Sequence, residues 1–265
     1  MPPTAELVDI GANLTNKAFR GDLDDVIERA RAAGVTTLIV TGTSIGASEQ
    51  AAQLASGRAP MLYATAGVHP HDAKSFTDAS AAKLRSLAAN PSVRALGELG
   101  LDYNRNFSPR DAQLHAFEAQ LELAAEVALP LFVHDREAHA DLCALIRQYR
   151  DRIVDGVVHC FTGTREELHA YLDLDLHIGI TGWICDERRG LHLRELIPDI
   201  PSQRLMLETD APYLLPRTLR PPPADRRNEP AFLTHVLAAV AESAGRSPRD
   251  VAEQTTRTAR AFFRI

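Results

Sequence analysis

The sequence predicts an α/β fold, a (β/α)8 TIM barrel, on three observations: eight apolar runs of strand length, stretches of helical period between them, and polar groups at the downstream ends of several runs. The runs are Leu7–Gly11, Thr37–Thr41, Leu62–Val68, Ala95–Leu99, Leu131–His134, Gly156–His159, Ile178–Gly182 and Leu205–Glu208. Most are apolar throughout, as expected of parallel strands covered on both faces. Helical patterns follow. Asp24–Ala33 is closed by Gly34, Ala112–Ala128 is rich in Ala, Leu and Glu and stops before Pro130, and Arg165–Leu172 begins after the turn residues Thr162, Gly163 and Thr164. The segment Pro230–Ile265 reads as two helices with Gly245 and Pro248 between them. A doubly wound open sheet would instead place a G-x-G-x-x-G loop after the first strand, and Gly11-Ala12-Asn13 is not one.

A chain of 265 residues suits one such barrel, so residues 1–265 are expected to form a single domain. No internal repeat or low-complexity segment interrupts it, and Pro221–Pro223 reads as a stiff loop. The net charge of −6 argues against broad adhesion to nucleic acid, which normally requires an excess of Lys and Arg. A nucleic-acid substrate would have to be gripped locally. The basic pairs Arg188–Arg189 and Arg226–Arg227 fall in predicted loops, where a solvated surface explains them equally well. Cys143, Cys160 and Cys185 are odd in number and form no C-x-x-C pair, so neither a disulfide framework nor a structural zinc site is expected. A reducing compartment fits. With no leader pattern at the N-terminus and no run near the roughly 18 apolar residues of a membrane span, the expected location is the cytoplasm.

In a barrel of this kind the C-terminal ends of the strands face one rim, where active sites form. A strand that stays apolar and then ends in a potential ligand aims that group at the rim. Leu62–Val68 runs into His69, Ala95–Gly97 into Glu98, Pro130–Val133 into His134, Gly156–Val158 into His159, and Leu205–Leu207 into Glu208-Thr209-Asp210. Of the ten histidines, His115, His139, His169, His192 and His235 sit in helical patterns, where packing or solvation accounts for them. His177 lies at the wrong end of its strand, and His71 follows His69 in a loop. A single strand-end histidine is more often a satisfied core group than a ligand. Three at equivalent positions, with Glu98 and Asp210 alongside, reverse those odds.

Neutral imidazoles and carboxylates suit a divalent cation with hydrolytic work to do, and no thiolate-rich alternative exists. Carboxylates admit magnesium or manganese, and imidazoles extend the choice to zinc. Such an ion lowers the pKa of bound water to about 7 and polarises a phosphoryl or carbonyl oxygen. Cys160 is a weaker nucleophile candidate, since strand alternation turns it away from the face of His159.

Six segments together resemble the TatD family of metal-dependent nucleases over essentially the whole chain. They are Asp9-Ile10-Gly11-Ala12-Asn13-Leu14-Thr15, Ala66-Gly67-Val68-His69-Pro70-His71, Gly97-Glu98-Leu99-Gly100-Leu101-Asp102, His159-Cys160-Phe161-Thr162-Gly163, Ile180-Thr181-Gly182-Trp183 and Glu208-Thr209-Asp210-Ala211-Pro212-Tyr213. The late run Arg226-Arg227-Asn228-Glu229-Pro230 matches as well. The resemblance implies an amidohydrolase-like (β/α)8 barrel that cleaves phosphodiester bonds, with Glu98, His134, His159 and Asp210 as metal ligands. It places His69 near the scissile phosphate, Arg136, Asp102, Asn228 and Glu229 on the substrate side, and Glu208 behind a ligand that it orients.

Many family members carry an H-x-H pair after the first strand, following an aspartate. Here the corresponding positions after Asp9 are Gly11 and Asn13. The pattern therefore predicts one firm metal site, magnesium first with manganese or zinc as alternatives, and at most a weak second ion bridged by Glu98. The same departure is typical of the bacterial branch that the resemblance associates with 3′-to-5′ exonuclease activity on single-stranded DNA and RNA. The expected mechanism makes Asp210 both ligand and general base, with His69 and Arg136 stabilising charge on the phosphate. Tyr103, Phe107, Phe161, Trp183 and Tyr213 are candidate stacking surfaces for bases or, equally, caps on the core. A monomer with no obligate protein partner is expected. The rival readings are an amidohydrolase acting on a small amide, ester or lactone, and a metal-stabilised binding protein without catalysis.

Overall fold

The structure, a computed structural model, describes residues 5–265. Its eight strands are β1 (Leu7–Ala12), β2 (Val35–Val40), β3 (Leu62–Ala66), β4 (Val93–Asp102), β5 (Leu131–Arg136), β6 (Gly156–Val158), β7 (His177–Ile180) and β8 (Leu205–Leu207), and their order in the sheet is their order in the chain. By internal packing the chain divides into two compact units, one comprising the residues up to Val40 with Cys160–Leu168 and Ile178–Ile265, the other Thr41–His159 with His169–His177.

In the first unit β1 pairs in parallel with β2, Asp9 opposite Leu38, and β7 with β8, Ile178 opposite Leu205. A bridge between Ala12 and Ala211 ties the end of β1 to the segment after β8. Helix α1 (Leu23–Ala32) joins β1 to β2. The unit also holds a short helix α2 (Leu191–Leu196) and the two C-terminal helices expected, α3 (Leu233–Ser243) and α4 (Pro248–Phe263), which pack on each other. Ser247 caps α4 by accepting from the Asp250 amide at 3.1 Å, and Pro248 occupies its first turn, where a missing N–H costs nothing. Val251, Ala259, Phe262 and Phe263 turn its apolar face inward against β1 and β8.

The second unit contains β3, β4, β5 and β6, paired in parallel in that order, with all of the side chains of Leu131, Phe132 and Val133 buried. The Ala/Leu/Glu-rich pattern forms α5 (Arg110–Val127) and ends where Ala128 takes a left-handed conformation ahead of Pro130. Gln120 in this helix is buried and clasps the Val68 backbone, accepting from its N–H at 2.8 Å and donating to its carbonyl at 3.1 Å.

Several predicted strand ends shift. β3 stops at Ala66, β6 at Val158 and β8 at Leu207, so His69, His159 and the Glu208–Asp210 run lie in the loops beyond. β4 and β5 run further than expected, to Asp102 and Arg136, which leaves Glu98 and His134 inside strands rather than at their ends. A register shift explains the first case. Gly97 pairs with Phe132 and Leu99 with Val133, so Glu98 is the extra residue of a bulge, a device that re-aims a side chain without ending the strand.

Candidate active site

Two glycines frame the bulge. Gly97 and Gly100 have φ of +144° and +132°, and a Cβ on either would lie 2.2 Å from the Phe132 carbonyl oxygen or 2.0 Å from that of His134. Only glycine permits both the backbone conformation and the close approach of β5. The result brings Glu98 and His134 together across adjacent strands.

Glu98 is the hub of the cluster. Its Oε1 lies 2.8 Å from His159 Nε2, 2.9 Å from His134 Nδ1 and 3.2 Å from His69 Nε2, and the carboxylate is almost fully buried. His69 is held by its own backbone, which donates to the Thr43 carbonyl at 2.9 Å, and its Nδ1 accepts from the His71 amide at 3.0 Å. His159 donates its amide to Val133 at 2.9 Å and lies 4.7 Å, ring to ring, from Phe132. Burial pushes the Glu98 carboxyl up, but the His159 and His69 charges and bonds from His134 and His159 outweigh it and hold the group well below the usual carboxylate range. Burial lowers His69, and Glu98 only partly offsets that. Burial also works against the charged form of His134, yet Asp102 and Glu98 raise it overall.

Behind the hub stands Asp102. Its Oδ2 is 2.7 Å from His71 Nε2 and 3.6 Å from His134 Nε2, and its Oδ1 accepts the amides of Asn104 and Arg105 at 3.0 and 2.8 Å. Burial raises this carboxyl, while the imidazoles of His134 and His71 and the Arg105 amide bring it far below normal. The sequence reading put Asp102 on the substrate side; here its oxygens face the histidines and the local backbone.

The donor set fits a divalent cation. One carboxylate oxygen has about two acceptor positions, yet three imidazole nitrogens converge on Glu98 Oε1. Ligand atoms about 2.1 Å from a common ion stand roughly 3 Å apart, and each of the three imidazole nitrogens lies 2.8–3.2 Å from Glu98 Oε1. His134 turns Nδ1 toward Glu98 and its buried Nε2 toward Asp102, so Nδ1 is the nitrogen it offers a ligand. Among the described residues the ligand atoms of His69, Glu98 and His134 lie mutually within 4.8 Å, so His69, read from sequence as a substrate contact, stands with the ligand candidates.

The first unit carries its own polar group at the ends of β1 and β8. Asp9 is wholly buried and accepts from the Thr209 amide at 2.9 Å, the Thr209 hydroxyl at 2.5 Å and the Gly11 amide at 3.2 Å. Burial pushes its carboxyl up to about 7 despite these donors. Asp210 has φ of +55° and accepts from Asn13 Nδ2 at 2.9 Å, while its amide donates to the Gly11 carbonyl at 2.8 Å. Glu208, fully buried, accepts from the Cys160 amide. Because β6 ends at Val158, strand alternation does not place the Cys160 thiol, which lies 3.5 Å from the Thr181 hydroxyl.

The late motif is also built into this unit. Asn228 Nδ2 donates to the Thr209 and Tyr213 carbonyls at 2.9 and 2.6 Å. Both Glu229 oxygens are engaged by Arg29, at 2.7 and 2.9 Å, and Arg227 joins at 2.7 Å. Arg136 closes β5, opposite Asp102. Of the aromatic candidates, Phe161 and Tyr103 are buried, whereas Phe107 and Tyr213 are 58% and 53% exposed.

A model of TatD-related DNases matches residues 8–264, from β1 through the end of α4. The chain belongs to the TatD family. Its curated relatives include the 3′-5′ ssDNA/RNA exonucleases TatD of Erwinia billingiae, 52% identical over 259 residues that cover 98% of this chain and 99% of that one, and of Klebsiella pneumoniae, 53% identical with 98% of each covered. Among solved structures, YJJV, a TatD homologue from Escherichia coli K12, superposes with a TM-score of 0.87 at 27% identity, covering 98% of both chains. A TatD-family hydrolase from Entamoeba histolytica does so at 0.86 and 27%, covering 97% of this chain and 98% of that one. The fold of this TatD-family chain is thus the (β/α)8 TIM barrel that its strand order predicted.

Two features of the TatD-family site escaped the sequence reading. The Asn13 side-chain amide donates to Asp210 Oδ1. His71, left open between ligand and loop residue, pairs with Asp102. The sequence signals were their places in the Asp9–Thr15 and Ala66–His71 segments, which do not show these partners.

Proposed function

We propose that the protein is a divalent-metal-dependent hydrolase, a 3′-to-5′ exonuclease that cleaves phosphodiester bonds of single-stranded DNA and RNA. The observation that carries the reading is the convergence of three imidazole nitrogens on Glu98 Oε1 within 2.8–3.2 Å, in a chain more than 50% identical to relatives that bear the exonuclease name. The amide, ester or lactone reading is not favoured by that kinship.

In this account Glu98, His134 and His159 hold the cation, Asp210 is the fourth ligand on the strength of its place after β8, and His69 borders both ion and phosphate. A bound magnesium, manganese or zinc ion supplies Lewis acidity at the phosphoryl oxygen and lowers the pKa of attacking water. Asp210 would accept the proton of the attacking water, Arg136 and His69 would meet the negative charge on the phosphate, and Glu208 holds the Cys160 amide. Asn228 and Glu229 belong to the substrate side through the segment they hold. Magnesium is the proposed physiological ion. The chain 1–265 acts as one catalytic domain and as a monomer in the cytoplasm; no helix of the described residues is long and apolar enough to cross a membrane.

Single-stranded oligonucleotides labelled at either end test the reading. A ladder shortening from the 3′ end, abolished by chelator and restored by magnesium or manganese, is expected. Chelator-insensitive cleavage, or shortening from the 5′ end, would contradict it.

A further inference from the structure

Beyond the metal cluster, the first unit holds a pocket of about 460 Å³ formed by the loop after β7 and the long loop after β8. That size falls in the range of small-ligand sites. Its lining is unusual for a chain of net charge −6: five arginines, Arg188, Arg189, Arg217, Arg220 and Arg226, against a single lining carboxylate, Asp186. Both basic pairs flagged in the sequence contribute to it. Arg227 does not, because it is spent on Asp22 and Glu229.

The pocket is built rather than incidental. Asp186 is buried and lies 3.4 Å from Arg189 and 3.5 Å from Arg188, while Arg217 forms a bidentate pair with Glu187 at 2.8 and 3.0 Å. Arg220 and Arg226 are exposed, and among the described residues neither is paired with a carboxylate. Trp183 lines the wall with the Arg189 guanidinium 4.5 Å above its ring. Gly182 and Gly190 let the loops close: a Cβ on Gly182 would lie 2.2 Å from the Leu214 carbonyl oxygen, and one on Gly190 would lie 1.8 Å from that of Trp183. Excess positive charge beside a flat aromatic is what a single-stranded phosphodiester chain requires, because arginines neutralise its phosphates and the indole stacks on a base.

We propose that this pocket is a strand-binding subsite, gripping the nucleic acid away from the bond being cut through Arg220 and Arg226 on phosphates and Trp183 on a base. The proposal deepens the nuclease reading and rests on it. It also explains how an acidic protein holds a polyanion, since the grip is confined to one basic pocket.

Trp183 is the only tryptophan in the chain, so intrinsic fluorescence reports the pocket itself. The test adds a ten-nucleotide single-stranded DNA to the full-length protein in chelator, where binding is read without cleavage, at several salt concentrations. The wild type is expected to show quenching of Trp183 on binding. The R220A/R226A variant should bind about tenfold more weakly, with a log–log salt slope shallower by about 1.4, the value for two lost phosphate contacts on a single strand. R220K/R226K should stay close to wild type in both. Unchanged fluorescence, an alanine pair that binds with wild-type affinity and slope, or a lysine pair as weak as the alanine pair would overturn the proposal. If the wild type degrades the same oligonucleotide with magnesium while any of those results holds, the subsite alone is wrong. A wild type that neither binds nor degrades it would overturn the subsite and the nuclease reading together.

Discussion

Asp102 Oδ2 lies 3.6 Å from Nε2 of His134, whose other nitrogen is 2.9 Å from Glu98 Oε1. A carboxylate behind a metal-binding imidazole orients the ring and raises its basicity, and its loss typically weakens metal affinity about 10- to 100-fold. Asp102→Asn should therefore move the metal concentration for half-maximal activity upward by that factor, with kcat at saturating metal changed far less. An unchanged metal requirement would return Asp102 to a purely substrate-side role.

Gly100 offers a backbone test. Gly100→Ala forces a Cβ to within 2.0 Å of the His134 carbonyl at φ +132°. A loss of about 2–4 kcal/mol in urea denaturation and weakened metal binding are expected. Gly245→Ala is the control, because its φ is +61° and nothing lies within 4 Å of the added carbon. That change should cost about 1 kcal/mol and leave metal binding intact.

Asp9 predicts a pH dependence. With its folded pKa raised to about 7 from 3.8, it is protonated in both states only well below pH 4, where it imposes no penalty. As pH rises toward 7 the unfolded chain ionises first, so stability falls, by on the order of 4 kcal/mol in full. Denaturation of the chelated protein between pH 4 and pH 8 should show this decline, and Asp9→Asn should remove that part of it. Parallel curves for the two proteins would show that Asp9 ionises normally in the fold.

Glu229 is joined to Arg29 and Arg227 and its side chain is only 10% exposed. Removing it leaves two guanidiniums facing each other near Asp22, so Glu229→Ala should cost about 2 kcal/mol of stability, between the values for exposed and buried pairs. A variant with wild-type stability and a raised KM would instead assign Glu229 to direct substrate contact.

The fold was legible because most parallel strands are apolar runs and the helices read from them are bounded by breakers, as Gly245 and Pro248 separate the last two. That His69, Glu98, His134 and His159 each follow an apolar run was legible too, and these four come together. How Glu98 reaches the histidines was not, since the bulge depends on Gly97 and Gly100 meeting β5, a tertiary contact with no local periodicity. The same holds for His71, whose partner Asp102 is 31 residues away. The aromatics divided for a related reason: Phe161 and Phe107 look alike in sequence, and only packing buries one and exposes the other.

The most direct test of the account is calorimetric titration of manganese into the apo protein and into Glu98→Gln, with circular dichroism to verify that both are folded. One firm site per wild-type chain and none in the variant is the predicted result. A folded Glu98→Gln protein that binds manganese as tightly as the wild type would contradict the claim that Glu98 gathers the imidazoles around a cation.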